Sequence, residues 1–335
     1  MKKHVKKIIL PVVTAVFLYF VLVNLDISEL IQAAKQFKLW YMLPLAVSII
    51  VSLSLRGLVF KFLMHKTADL PVSESAHLCI TGAALNILLP ARAGDIFRAF
   101  YTGRKYNADK IKVFGTVMFE RIFDMIVIFS FLLIGISLYQ RNPNAVKLCI
   151  SAGIFAALGI AAVIYAYKYN KTDEICRFIT EKTQKAPFAD FIKKAVSFAN
   201  ASCNSFFRGF EVIESPKYTI AALCTSFGIW FFECLNYYIV MLGFSCSAHW
   251  SVTLFVMSFI ALACMIPSAS IFIGPYQLAV ITAFSMFNVS KETALAISIV
   301  EQACVIITTA AAAVLFLFKH NISYDELKKD IETKN

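Results

Sequence analysis

The stretch Thr81-Gly-Ala-Ala-Leu-Asn-Ile-Leu-Leu-Pro-Ala-Arg-Ala-Gly-Asp-Ile-Phe-Arg98 decides how this chain is read. An apolar run leads into it, and then Asn86, Arg92, Asp95 and Arg98 crowd into one short interval. Pro90 cannot donate a backbone hydrogen bond, and Gly94 permits backbone angles that other residues resist. Two short helices meeting at a break near 89–94 are the simplest reading. In hydrocarbon a broken helix persists only where it is buried in protein or lines a wet cavity. An ionisable residue at that depth costs roughly 2.5–3.5 kcal/mol and needs a partner. The stretch is therefore a candidate site as well as a piece of the fold.

The surrounding composition says which solvent this break sits in. Of 335 residues, 59% are hydrophobic and only 16% charged, with 31 Phe, more apolar surface than a soluble chain of this length could hide. Several runs reach the ~20 apolar residues that cross a bilayer, whereas a barrel would show short alternating segments. The expected fold is an all-α polytopic membrane protein with about six full transmembrane helices and two re-entrant hairpins. The net charge of +11 fits basic residues at membrane edges rather than nucleic-acid binding. The nine cysteines lie mostly in apolar runs and read as small core residues, and the five His lack ligand spacing. No metal and no cofactor is expected.

Taken in order, residues 8–25 after a basic start form an uncleaved first span, and 39–60 a second, with Arg56 snorkelling from its inner end. The broken stretch is a re-entrant hairpin over 76–100, with arms of about 12–14 residues, roughly 20 Å each and too short to span. Spans over 113–139 and 145–167 complete an N-terminal half, 1–167. Residues 168–217 form a cytoplasmic connector with apolar residues at helical spacing, suited to amphipathic helices. The C-terminal half, 218–319, holds spans at 218–242 and 292–318 around a second hairpin over 251–287. That hairpin is interrupted by Pro267, Ser268, Gly274 and Gln277, and a charged tail, 320–335, follows. With both termini cytoplasmic, 24 of the 32 Lys and Arg fall inside and five outside, as the positive-inside rule requires. One hairpin opens inward and the other outward, the order of an inverted repeat, and paired interrupted segments point to a midplane binding site.

Three groups carry candidate chemistry. Arg92 and Arg98, with Asp95 between them and Asn86 on the preceding arm, suit a lipid phosphate; the competing reading is an internal salt bridge that staples the hairpin. Glu120 and Asp124 share a helix face and Arg121 reaches Asp124 at i+3, leaving two acids against one Arg. That patch can answer Arg92 or Arg98, or hold a cationic headgroup. Glu233 and Glu301 are single intramembrane carboxylates, either inert or part of an ion-coupling path. No phosphate-cradling loop, nucleophile elbow or metalloprotease motif occurs, so no catalytic residue is expected.

The motifs Asn86-x-Leu-Leu-Pro-x-Arg-x-Gly-Asp-x-x-Arg98, Glu120-Arg-x-x-Asp124 and Ile266-Pro-Ser…Gly274-x-x-Gln277 resemble the transmembrane region of lysylphosphatidylglycerol synthase/flippase proteins. The resemblance covers nearly the whole chain. It implies a bacterial-type plasma-membrane protein, similar to a stand-alone member without the C-terminal aminoacyltransferase domain, that moves an anionic or aminoacylated phospholipid between leaflets. Two positions depart from the family pattern: Gln277 stands where Glu is common, and no basic residue accompanies Glu301. Such changes fit a different lipid, for example a prenyl-phosphate-linked one. The rival expectations are a membrane component of a phosphatidylglycerol lysyltransferase-type system, with a separate enzyme docking on 168–217, and a soluble-anion transporter.

Overall fold

The computed structural model describes residues 17, 19–23, 25–89, 92–139, 143–169, 171–182, 189–246, 249–264 and 274–320. Among these no strand occurs, and the protein is an all-α polytopic membrane protein. A short helix α1 (Ile27–Lys35), capped by the Asp26 carboxylate, leads into α2 (Met42–Met64). The broken stretch gives α3 (Val72–Leu88) and α4 (Ala93–Lys105). Then follow α5 (Lys110–Tyr139), α6 (Pro143–Tyr169), α7 (Lys171–Lys182) and α8 (Ala189–Arg208). The second half contains α9 (Pro216–Gly243), α10 (Trp250–Ala263), α11 (Pro275–Ser285) and α12 (Lys291–His320).

Among the described residues four segments are long and apolar enough to cross a membrane: Leu39–Met64, Lys110–Leu138, Pro216–Gly243 and Lys291–Leu315. Their outer faces carry exposed apolar side chains, such as Leu39, Trp40, Leu43 and Val47 on the first and Ile299, Ile307 and Leu315 on the last. In water such faces would demand cover; in lipid they need none. The expected first span falls largely on residues outside the description, as do residues 140–142 and 321–335.

The first hairpin matches the expected break, with differences at its edges. Its arms are 17 and 13 residues, because α3 begins at Val72 rather than near His77. Leu89 is extended, and Arg92 enters α4 in the left-handed region at φ 53°. Gly94 is therefore not the residue that bends the chain; it lies within α4, where a Cβ would stand 1.8 Å from the Gly82 carbonyl oxygen of α3. The second hairpin has arms of 14 and 11 residues. Pro267 and Ser268 lie outside the described residues, and Gly274 enters α11 at φ 96°.

The halves pack as an inverted repeat. Side chains of α2 and α9 pair in opposing order: Ser48 with Phe232, Ser52 with Glu233, Phe62 with Tyr218, His65 with Ser215. These two helices are therefore antiparallel, and a twofold relation between them runs across the helix axes. Contacts between the hairpins and the other half obey it. Helix α10 of the second hairpin packs on α5, and α3 of the first packs on α12; α1 packs on α12, and α8 on α5. Helix α8 is thus the counterpart of α1 and part of the fold, beyond its place in the connector.

Candidate functional site

Between the halves lie two adjoining cavities, of about 270 Å³ and 550 Å³, with Ile87, Arg92, Arg121, Glu233 and Val305 lining both. The larger falls within the usual size of a small-molecule site. It has an apolar wall, including Met125, Ile128, Met257 and Ile260, and a polar end.

Behind the arginines that line the smaller cavity, Arg56, Arg98 and Arg121, stands Glu120 of α5, which is 1% exposed. It accepts from Arg98 Nη2 at 2.8 Å, Arg56 Nη1 at 3.1 Å and Arg121 Nη2 at 3.1 Å. One turn on, Asp124 is 3.2 Å from Arg56 and 2.9 Å from Arg121, and accepts from the Trp230 indole at 2.8 Å. Arg98 is 2% exposed, lies 4.3 Å from the Phe60 ring centroid and is 3.9 Å from Asp95. Asn86 accepts from the Gly94 N–H at 2.8 Å and donates to Asp95 at 3.3 Å, tying the arms of the hairpin together.

Three guanidinium groups thus meet three carboxylates, so the acidic surplus read from Glu120, Arg121 and Asp124 is balanced. Arg56 supplies the missing charge: it reaches into the cluster from α2 instead of snorkelling to the membrane edge. Arg98, Asp95 and Asn86 staple the hairpin. Arg92 stands apart: it lines both cavities, and its side chain has no hydrogen bond or ion pair among the described residues. Trp230, Ser52 and Asn236 carry no local motif; only their polarity inside an apolar run marks them.

In the second half the equivalent positions are uncharged apart from two carboxylates. Glu120 and Glu301 are each the eleventh residue of their helix. Glu301 accepts from the Tyr276 hydroxyl, which pairs with the Tyr237 hydroxyl at 2.9 Å. Gln277 accepts from the Gly274 N–H at 2.7 Å and donates to Gln302 at 2.7 Å. A carboxylate at 277 could not make the second bond. Glu233 accepts from Ser52 at 3.0 Å and Asn236 at 3.3 Å. Among the described residues no group of His, Cys, Asp and Glu is arranged to hold a metal ion.

The family model for the lysylphosphatidylglycerol synthase TM region matches residues 8–313. The chain belongs to that family. Of the motif residues, Asn86, Arg92, Asp95, Arg98, Arg121 and Asp124 line one or both cavities, as does Tyr276 between Gly274 and Gln277. The UPF0104 membrane protein MJ1078 of Methanocaldococcus jannaschii is similar, 24% identical over 218 residues, which are 64% of this chain and 85% of that protein. No solved structure matches the chain.

Proposed function

We propose that the chain moves an anionic or aminoacylated phospholipid between leaflets, its headgroup in the paired cavities and its acyl chains along the apolar wall. The observation that carries this is Arg92. Three other guanidinium groups are held by Glu120, Asp124 and Asp95, while Arg92 faces both cavities with its donors unengaged by described residues. A planar guanidinium is matched to phosphate oxygens, and the N-terminus of α4, directly after it, adds partial positive charge. Glu233, which has no cation within ion-pairing distance among the described residues, supplies the counterpart for an amine. Family membership supports a lipid as the substrate class.

Leaflet exchange of fluorescent phosphatidylglycerol in liposomes tests this, with wild type beside Arg92→Ala. Losing a charge-assisted phosphate contact predicts a fall of about tenfold to a hundredfold with folding retained. Wild-type exchange by Arg92→Ala would sink the assignment. Competition by inorganic phosphate without lipid exchange would point to a soluble anion at the same arginine.

A further inference from the structure

Glu301 carries a second reading of the cavity, resting on the first. It is 6% exposed, lines the larger cavity and has no cation within ion-pairing distance among the described residues. Its counterpart Glu120 collects three guanidinium groups. What Glu301 has instead is a chain of hydroxyls: Tyr237, 2% exposed, beside Tyr276, 8% exposed, which donates to the carboxyl. A buried carboxyl without a cation is costly to hold ionised, and its inexpensive counterion is a proton. Hydroxyl donors make the ionised form accessible too, so the group can occupy both states.

We propose that Glu301 is the proton-binding site of this cavity and that its loading and unloading couple headgroup movement to a proton gradient. Protonation adds H⁺ to one Glu301 oxygen while Tyr276 donates to the other; release returns it through the cavity. Around the carboxyl, α11 presents Tyr276, α9 presents Tyr237 and Glu233, and the end of α10 presents Cys264. The same cavity is lined by Arg92 ahead of α4 and by Arg121 and Asp124 of α5. Helix α3 contributes Ile87 to this cavity, and Arg56 of α2 is engaged by Glu120 and Asp124. Near α1, Lys291 at the start of α12 donates to the Val23 carbonyl. Because Arg92 and Glu301 line the same cavity, a phosphate held at Arg92 brings negative charge into the space that Glu301 lines and favours proton uptake; headgroup and proton then bind together.

Infrared difference spectra of the full chain in liposomes, stepped in pH through the neutral range, read the proton directly. Wild type should show the carbonyl band of a protonated carboxylic acid that fades as pH rises. Glu301→Gln, which preserves shape and the acceptor for Tyr276, should lose the band; Glu292→Gln at the start of α12 should retain it. Tyr276→Phe should move the band's frequency, because the donor to that carboxyl is gone. A pH gradient should bias lipid exchange by wild type and fail to bias it in Glu301→Gln. A titrating band that survives Glu301→Gln, or no band in wild type, overturns the proposal. A Glu301-dependent band beside exchange that ignores Arg92 keeps the proton site and sinks the headgroup assignment; Arg92-dependent exchange without the band does the reverse.

Discussion

At the scale of the residue, Arg92 combines two properties that seldom coincide. It holds a left-handed backbone, at φ 53°, which costs a non-glycine residue roughly 1–2 kcal/mol. It is also the guanidinium the cluster leaves unengaged. Strain of this kind concentrates where function fixes a residue against its preference. The two properties can be separated by substitution. Arg92→Gly and Arg92→Ala both remove the charge, but only glycine adopts the backbone without penalty. Glycine should unfold later than alanine, by up to roughly 1 kcal/mol once its greater chain entropy is counted. Both should lose lipid exchange equally. Thermal unfolding beside exchange rates checks this; a glycine variant that regains exchange would mean that the backbone, not the charge, is what transport needs.

At the scale of the element, the first hairpin is held by close approach as much as by charge. Gly94→Ala would put a methyl group 1.8 Å from the Gly82 carbonyl oxygen, so α3 and α4 must separate. The expected loss is about 1–3 kcal/mol of stability, with disordering of the Asn86–Gly94 bond and lower exchange. A variant as stable as wild type would show that the arms do not pack this tightly. The next helix has its own anchor: Asp109 accepts from the Ile111 N–H at 2.8 Å and from Ser205 of α8. Burial pushes the Asp109 carboxyl up, but the Ser205 hydroxyl and the Ile111 and Lys112 amides outweigh it and hold it below its usual value. Stability from a depressed carboxylate is present above the unfolded-state pKa, about 3.9, and is lost as pH falls through the folded value. Asp109→Ala should cost roughly 0.5–1 kcal/mol at neutral pH, and the gap from wild type should close in acid. Unfolding at both pH values decides it.

These elements also show which features the sequence exposed. The break was legible because a proline is a poor helix-interior residue whatever the distant packing, and Arg121 with Asp124 because i+3 spacing is local; Gly94, read with Pro90 as part of the break, serves packing instead. The partners of Gly94 and Arg56 were not legible, since they lie on other helices: Gly82 is 12 residues away, and Glu120 is 64 residues from Arg56. An unexplained Arg in an apolar run and a cluster with surplus acid were nonetheless two halves of one clue.

At the scale of the molecule, one fold appears twice with its chemistry divided. Packing of α2 on α9, of α3 on α12 and of α10 on α5 makes a twofold frame around the paired cavities. Lipid-facing positions accept almost any apolar residue, so the repeat does not show in residue identity, yet Glu120 and Glu301 occupy the same helical position. The first half surrounds that position with guanidinium groups, the second with a tyrosine hydroxyl. The frame therefore predicts unequal outcomes for equivalent substitutions. Glu120→Gln leaves Arg98 and Arg56 facing an amide in a buried site, and removing one partner of a buried ion pair costs roughly 3–5 kcal/mol. Glu301→Gln leaves an acceptor for Tyr276 and strands no cation, so its cost should stay within about 1 kcal/mol. Thermal unfolding of both variants in one lipid mixture makes the comparison. Equal losses would mean that charge also holds the second half together, and Glu301 would then be a structural group rather than one free to change its charge.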